Sequence, residues 1–481
     1  MAYVRLNYYL LVAATLLIYY VLPLRFRWIA LLCASMGFYY AVAPAAFLIV
    51  LATIVISYAC ARIIGRLEKG GWRRKAVLAV SLLLMLVPLL ATKNGNWLLV
   101  RCLHRPAVSW IVPLGISFYT LQILAYLVDV YKEKVEPQRN FLKYALFISF
   151  FPQIVQGPIP RYDQLAPQLF EGHRFDERGF TKGLQLLLWG FFLKFMVADR
   201  TGVIVNTIFG DTASYTGLYA LLGGILYSLQ LYADFLACVT LSQGAAALFG
   251  IQLIDNFQQP YSATSIKEFW RRWHISLSSW LRDYVYIPLG GNRKGRLAKY
   301  KNLILTFAVS GVWHGAGFKF LFWGLLHAFY QIVGELTAPL KEKVYSALRM
   351  PREDMTRRIL QTLGTFFWVM LAWIIFRADG LRQGLAMIVS IFRVWNPWIL
   401  VDGSLFTLGL DSKECIVLVL SVALFGLVST LQRRGMHIRD WFLEQHVVFR
   451  WSVYIAVICV IVVFGAWGAG YDAQSFIYEQ F

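Results

Sequence analysis

Long apolar runs alternate with short polar loops along most of the chain. Early apolar runs predict helices over residues 7–22, 28–43, 45–61 and 76–92. No small-residue cleavage site follows the first run, so we interpret it as a spanning helix rather than a signal peptide. Basic residues collect in the first connection, 25–27, and in the third, 62–75. Because cytoplasmic loops carry an excess of Lys and Arg, we expect both connections in the cytoplasm and the N-terminus outside.

The middle of the chain is less regular. After a polar break over 93–106, a helix is predicted over 109–130. Residues 151–161 contain prolines that cannot continue a helix, so they predict a re-entrant or interfacial turn. The mixed-charge stretch 164–182 predicts a surface hairpin. Further apolar helices are predicted over 184–197 (closed by Asp199 and Arg200), 220–236, 318–333, 360–376, 414–431 and 451–467.

Two later segments differ from the long apolar runs, and the first of them is expected in the cytoplasm. Residues 341–358 are basic and loop-like, and 384–394 is short enough for a helix at the membrane interface. A second basic loop over 433–439 is expected in the cytoplasm. Loop parity between Arg358 and Arg433 then requires that one intervening segment does not span, and the sequence leaves open which one.

Residues 266–284 carry aromatic side chains at helical spacing, with Lys and Arg on the other side. That pattern predicts one helix lying at the membrane interface. His274 lies at the edge of the aromatic stripe, so its ring is expected to face the protein interior.

A basic loop and a short apolar segment follow. From residue 261 to 302 there are nine Lys or Arg against two acidic residues, which predicts a cytoplasmic loop. The apolar residues 303–312 rise only about 15 Å as a helix, against a hydrocarbon core of roughly 30 Å. A cytoplasmic start therefore predicts that His314 lies partway through the bilayer. Glycines at 311, 315 and 317 permit a break in the backbone beside it.

A histidine at membrane depth is a candidate for function because imidazole accepts and returns a proton near neutral pH. The alternative is a core histidine that is hydrogen-bonded to a backbone carbonyl. His327 has no motif around it, and we interpret it as structural.

Several motifs in order resemble the membrane-bound O-acyltransferase (MBOAT) family: FWRRWH (269–274), RDY (282–284), YIPLGGNR (286–293) and VWHG (312–315). The YIPLGGNR form is most similar to the bacterial alginate O-acetyltransferase branch. The GPI-containing segment at 157–159 and the aromatic ending over 476–481 also resemble this branch. Residues 236–240 depart from it, because relatives usually continue there with Ser-Gly and a second Asp.

The resemblance implies an all-α, polytopic membrane protein. It has about 10–13 membrane helices, some short or re-entrant, around a central tunnel. One transmembrane domain would occupy 1–481, with N-terminal helices over 1–106, a core carrying the motifs over 107–335, and C-terminal helices over 336–481. In the family the WHG histidine is catalytic, which maps to His314. A second polar position, which is Asn, Asp or His in different branches, maps to His274. The family also implies an extracytoplasmic partner protein that passes the acyl group to a polysaccharide.

Composition supports a membrane location. The chain has 481 residues, 59% of them hydrophobic, and a mean hydropathy of +0.58. A soluble domain is about 45–50% apolar. The net charge of +20 is explained by topogenic loops and lipid headgroups, so no nucleic-acid partner is predicted. The six cysteines form no CxxC pair, and neither a metal site nor a cofactor is predicted.

The leading hypothesis is an O-acyltransferase of the inner or plasma membrane. His314 would act as general base and His274 would assist, with acetyl-CoA as the donor and an exported polysaccharide as the final acceptor. D-alanyl transfer to teichoic acids, as in a related branch, is an alternative. A non-catalytic scaffold of a polysaccharide export complex is another. A solute transporter is disfavoured because no internal repeat is found.

Overall fold

The structure is a computed structural model that describes residues 3–467; the aromatic ending at 476–481 lies outside this range. All regular secondary structure in the described residues is helical. The first six α-helices are α1 (Leu6–Val21), α2 (Arg27–Val42), α3 (Pro44–Arg66), α4 (Trp72–Trp97), α5 (Ile116–Tyr131) and α6 (Phe141–Ser149).

The middle of the chain adds eight more helices. They are α7 (Tyr162–Glu171), α8 (Glu177–Phe192), α9 (Asp199–Gly210), α10 (Leu218–Ala247), α11 (Ile266–Arg272), α12 (Ile275–Leu281), α13 (Gly295–His314) and α14 (Phe318–Leu336). Three π-helical turns extend neighbouring helices: Leu98–Cys102, Leu193–Ala198 and Arg282–Tyr286.

The last six are α15 (Ala338–Ala347), α16 (Met355–Arg377), α17 (Leu381–Arg393), α18 (Ser412–Arg433), α19 (Ile438–Leu443) and α20 (Val447–Phe464). Short 3₁₀ turns occupy Leu24–Phe26, Pro260–Ser262, Pro397–Leu400 and Ser404–Thr407.

Within the described residues, seven helical stretches are long and apolar enough to cross a membrane. They are Pro44–Arg66, Trp72–Cys102, Glu177–Gly210, Leu218–Ala247, Met355–Arg377, Ser412–Arg433 and Val447–Phe464. The chain is therefore a multi-pass membrane protein, as predicted. α10 is the central helix, with 72% of its apolar window buried, and it packs against α8, α9 and α16. In contrast, only 6% of the window of α20 is buried, so its apolar surface suits contact with lipid.

The predicted break over 93–106 is right only for residues 103–106, and the helix start at 109 is wrong. α4 continues to Trp97 because its polar side chains find tertiary partners. Lys93 Nζ donates to the Trp313 carbonyl at 2.8 Å, and Asn96 Oδ1 accepts from the Val108 N–H at 2.9 Å. α5 begins only at Ile116, after Gly115 with φ +73°. A Cβ at Gly115 would collide with the Ile154 carbonyl oxygen, so this position requires glycine.

Asp199 and Arg200 do not close a helix, contrary to the prediction. α8, the π-turn and α9 form one continuous stretch from Glu177 to Gly210, and both residues lie inside it. The charges are tolerated because Lys194 Nζ lies 2.8 Å from Asp199 Oδ1 and 2.7 Å from Asp234 Oδ1. Charges buried in protein persist when they are paired in this way.

Two segments predicted as loops contain helices. The stretch 164–182 includes most of α7 and the start of α8, and 341–358 includes most of α15 and the start of α16. N-capping explains two of these starts. The Asp176 carboxylate accepts from the Gly179 N–H at 2.9 Å, and Asp354 accepts from the Arg357 N–H at 2.8 Å.

α17 is the segment that does not span. Near its beginning, Gln383 Nε2 donates to Thr212 Oγ1 at 3.2 Å, and near its end Ser390 Oγ accepts from the Gly217 N–H at 3.2 Å. Both ends of α17 therefore lie on the same turn between α9 and α10. This placement resolves the loop parity that the sequence left open.

The single helix predicted over 266–284 is wrong. Two seven-residue helices, α11 and α12, meet at His274, whose φ of +44° breaks the helix. Their aromatic face lies inside the protein rather than at a lipid interface, since Phe269, Trp270 and Trp273 are all buried. The turn predicted over 151–161 is non-helical as expected, and residues 151–160 are buried.

Candidate active site

His314 is the last residue of α13, and its side chain is buried with 3% exposure. Its Nδ1 lies 2.6 Å from the carbonyl oxygen of Ser310, one helical turn earlier. A carbonyl oxygen only accepts hydrogen bonds, so Nδ1 carries the hydrogen of the neutral ring. The lone pair is therefore on Nε2, where a general base needs it.

The helix that carries His314 is longer than the apolar pattern indicated. α13 starts at Gly295 and has 20 residues, which correspond to about 30 Å. Its first half carries Lys299 and Lys301, so only its second half is apolar. The depth of His314 in the bilayer stays a prediction.

Glycines hold α13 directly against α14. A Cβ at Gly311 would collide with the Phe320 carbonyl oxygen, and one at Gly324 would collide with the Phe307 carbonyl oxygen. After His314 the chain turns at Gly317, with φ +90°, into α14. The two helices thus share a close backbone crossing within one turn of the imidazole ring.

An aromatic cage surrounds the His314 ring. The ring centroid of Trp323 lies at 4.7 Å, that of Trp313 at 4.8 Å and that of Phe376 at 5.7 Å. These side chains come from α13, α14 and α16. They limit the motion of the ring, and their apolar faces keep bulk water from it.

His274 lies in the same aromatic cluster. It is fully buried, and its ring centroid is 4.8 Å from that of Phe235 and 6.1 Å from that of Trp313. Its left-handed backbone is held by Asn256, which accepts from the N–H of Ile275 and, through Oδ1, from the N–H of Ser276, both at 3.0 Å. Trp313 therefore touches both of the histidines that the motifs predicted as functional.

His327 is a third buried histidine near this cluster. Its Nδ1 accepts from Trp270 Nε1 at 3.2 Å, so the hydrogen of the neutral ring is on Nε2. Its ring centroid lies 5.0 Å from that of Trp323. His327 thus supports two of the tryptophans around the site, in agreement with a structural role.

Arg161, two residues after the GPI segment, meets the RDY motif elsewhere, near the C-terminal end of α5. Arg161 Nη2 donates to Asp283 Oδ2 at 3.2 Å, and its guanidinium lies 4.5 Å from the centre of the Tyr284 ring. Tyr284 in turn donates to Asp129 Oδ2 at 2.6 Å. We call the end of the molecule with this cluster and the basic segments 62–75 and 282–301 the basic end.

A cavity of about 950 Å³ lies at the opposite end. Its wall includes the segment from Gly315 to Phe320, so it reaches the residue next to His314. Lys93, Lys319 and Gln156 also line it, and the motifs indicated none of them as functional. In the sequence, Lys93 and Lys319 are isolated cations next to apolar runs. This feature could have marked them as candidate site residues. In the described residues, no group of three or more His, Cys, Asp or Glu could hold a metal ion.

Comparison with known proteins identifies the family of the chain. The family model described as MBOAT, membrane-bound O-acyltransferase family, matches residues 130–378. A probable alginate O-acetylase AlgI of Pseudomonas syringae is 36% identical over 67% of this chain and 60% of its own length. A peptidoglycan O-acetyltransferase of Helicobacter pylori is 37% identical over 61% of this chain and 59% of its own length.

A teichoic acid D-alanyltransferase of Bacillus subtilis is 29% identical over 53% of this chain and 68% of its own length. The chain thus spans about 60% of the length of the two acetyl-transferring relatives. The family match covers more than half of the chain and contains every motif that forms the buried histidine cluster. This chain is a member of the membrane-bound O-acyltransferase family.

Proposed function

We propose that the chain is an O-acyltransferase of the bacterial inner membrane that moves an acetyl group from a cytoplasmic thioester to an exported polysaccharide. The orientation of His314 carries this proposal. Its Nδ1 is fixed on the Ser310 carbonyl, so Nε2 carries the lone pair that can accept a proton, and the next residue, Gly315, lines the cavity. The acetyl-transferring relatives, whose names give alginate and peptidoglycan as polymers, support the choice of an acetyl group and of a polysaccharide acceptor. We expect an alginate-like or cellulose-like polymer.

The proposed reaction is one direct transfer. Nε2 of His314 takes the proton of the acceptor hydroxyl while the hydroxyl oxygen attacks the thioester carbonyl carbon of acetyl-CoA. A C–O bond forms and the C–S bond breaks. The departing thiolate then takes the proton from the imidazolium, so free thiol and acetyl ester are released. No metal or cofactor takes part. His274 orients the donor or stabilises the oxyanion of the tetrahedral intermediate.

The acceptor hydroxyl has two possible sources. It belongs either to the polymer or to an extracytoplasmic partner protein that passes the acetyl group on. Both routes place the acceptor at the end of the molecule opposite the basic end. The donor then approaches from the basic end, because cationic loops suit the phosphates of coenzyme A.

The test is acetyl transfer by purified protein in lipid nanodiscs, followed by mass spectrometry of the acceptor and by release of free thiol. His314→Ala should reduce the rate by at least about 100-fold. His437→Ala removes an exposed histidine and should leave the rate unchanged. Both variants must show the wild-type unfolding temperature.

The same assay separates the alternatives. A folded His314→Ala protein that supports wild-type polymer acetylation in cells would favour a scaffold over an enzyme. Transfer from a D-alanyl thioester, with none from acetyl-CoA, would favour the D-alanyl branch.

A further inference from the structure

A second cavity, of about 380 Å³, is lined by residues of α9, α18 and α20 and of the segment that follows α20. Its charged wall consists of Arg200 from α9 and of Lys413 and Glu414 from the first turn of α18. With two cations and one carboxylate, these groups carry a net charge of +1. The cavity therefore favours an anionic ligand. None of the three residues belongs to the quoted motifs or lines the cavity beside His314.

The guanidinium group of Arg200 is only partly satisfied by the protein. Arg200 is 3% exposed, and its Nη2 donates to the Phe464 carbonyl at the end of α20. Nε and Nη1 have no hydrogen-bond partner in the part of the chain that the structure describes. Glu414 Oε1 lies 3.7 Å from Nη1, close enough for attraction between the charges but too far for a hydrogen bond. Because unbonded donors are costly to bury, this guanidinium indicates that an acceptor binds here.

A phosphate group fits this position. It carries a negative charge and several acceptor oxygens, so it can accept from an unbonded nitrogen of Arg200 and from the Lys413 ammonium group at once. Arginine and lysine are the side chains that usually bind phosphate in proteins. A volume of about 380 Å³ is at the lower end of the range for small-ligand sites, so the cavity holds a headgroup but not a whole lipid.

Helix lengths place the cavity at the level of lipid headgroups. α18 has 22 residues and is therefore about 33 Å long, which matches a hydrocarbon core of roughly 30 Å. Its first turn, which lines the cavity, is thus expected at the edge of that core. Trp467 also lines the cavity and is half-exposed, as is typical of tryptophan at a membrane interface. The basic loop 433–439 lies between the other ends of α18 and α20, so the cavity opens to the outer leaflet.

Apolar surfaces for acyl chains begin at the same cavity. Only 17% of the apolar window of α18 and 6% of that of α20 are buried in the protein. Val463 lines the cavity and is 69% exposed, and Ile416 and Val419 on α18 are exposed as well. A headgroup in the cavity would therefore leave its chains along the lipid-facing sides of these two helices.

From these observations we propose that the cavity binds the phosphate of an anionic phospholipid from the outer leaflet, with its acyl chains along α18 and α20. The bound lipid links the ends of these two helices to the stretch Glu177–Gly210, which carries Arg200. The site is separate from the acyl-transfer reaction, and it stabilises the C-terminal helices against the rest of the protein.

The test is native mass spectrometry and thermal unfolding of the full-length protein, purified in a non-ionic detergent and freed of bound lipid. Three additives are compared: phosphatidylglycerol, diacylglycerol with the same chains, and inorganic phosphate. Phosphatidylglycerol should be retained and should raise the unfolding temperature. Diacylglycerol lacks the phosphate and inorganic phosphate lacks the chains, so each should bind at least about tenfold more weakly.

Charge variants locate the phosphate. Lys413→Gln should weaken phosphatidylglycerol binding about threefold, because Lys413 is exposed. Glu414→Gln should strengthen binding by a similar factor, because it removes a repelling carboxylate and keeps a side chain that can complete the capping box of α18. Arg200→Gln should weaken binding at least about tenfold. Lys343→Gln removes an exposed lysine of α15 outside the cavity and is the matched control, with unchanged binding.

The partly exposed positions 413 and 414 keep the test decisive even where Arg200→Gln does not fold. Three results would overturn the proposal: no phosphatidylglycerol retained by the folded wild type, equal binding of diacylglycerol or inorganic phosphate, or wild-type binding by both Lys413→Gln and Glu414→Gln. Neither acyl donor nor acceptor is present in these measurements, so their outcome does not depend on the catalytic role of His314.

Discussion

Gly324 of α14 lies directly against α13, at the close crossing next to His314. A Cβ at this position would lie 3.3 Å from the Gly311 Cα and much closer than 3.0 Å to the Phe307 carbonyl oxygen. Both atoms belong to the backbone, so neither can rotate away. Gly324→Ala must therefore push the two helices apart, by up to about 1 Å, and move the His314 ring relative to its substrates.

The size of the expected effect follows from a comparison of two glycines on the same helix, Gly324 and Gly334. Gly334 also lies in α14, but a Cβ there would meet nothing within 4 Å. Alanine raises helix propensity by about 1 kcal/mol at either position, so that gain cancels when the two variants are compared. The difference that is left is overpacking, which costs about 1–3 kcal/mol. A reacting group displaced by about 1 Å reduces the rate by about 100-fold.

The assay measures acetyl-transfer rates and thermal unfolding of Gly324→Ala and Gly334→Ala under the same conditions. Gly324→Ala should unfold at the lower temperature and lose about 100-fold in rate, whereas Gly334→Ala should keep the wild-type rate and be at least as stable. Gly311→Ala should behave like Gly324→Ala. Equal rates and equal unfolding temperatures for the Gly324 and Gly334 variants would refute the close crossing as the element that positions His314.

Three further predictions concern His274, Trp270 and Glu133. His274→Val should unfold earlier than His274→Asn, because a β-branched residue opposes φ of +44° while Asn tolerates it; circular dichroism melts of both variants measure this. Trp270→Phe should lower the unfolding free energy by about 1 kcal/mol through loss of the bond to His327, and an unchanged denaturation midpoint would contradict that bond. The hydrogen bond from Lys69 is the largest cause that lowers the pKa of Glu133 below its usual 4.5. Glu133→Gln should therefore lower the melting temperature most near neutral pH. The difference from wild type should vanish as the pH falls through that lowered pKa, which melting temperatures measured across pH will test.

Local signals predicted the long apolar helices well. α3, α16, α18 and α20 were all located from their apolar runs, because a spanning helix must be apolar over most of its length. Helix ends were predicted less well where polar residues found distant partners. Lys93 bonds to a carbonyl more than 200 residues away, and Lys194 bonds to a carboxylate about 40 residues away. A local sequence pattern contains no sign of such bonds.

The candidate site shows the same division. The motifs indicated His314 and His274, but not that the Trp313 ring would lie against both. The break at His274 was missed because Trp270, Trp273 and Leu277 keep helical spacing across it. Asn256, which holds the broken backbone, comes from a separate stretch of the chain. Gln156 lies in the predicted turn, but the lack of a hydrogen-bond partner for its amide among the described residues is visible only after the chain has folded around it.

The sequence by itself determined a helical membrane protein, its family and the histidines to consider, because apolar length and motif order are properties of neighbouring residues. Tertiary structure alone decided which faces are buried, that α17 returns to the side where it began, and that a cationic cavity adjoins His314. Those features depend on contacts between residues far apart in the chain. Such contacts arise from close packing and from the need to satisfy buried polar groups, and no local stretch of sequence specifies either.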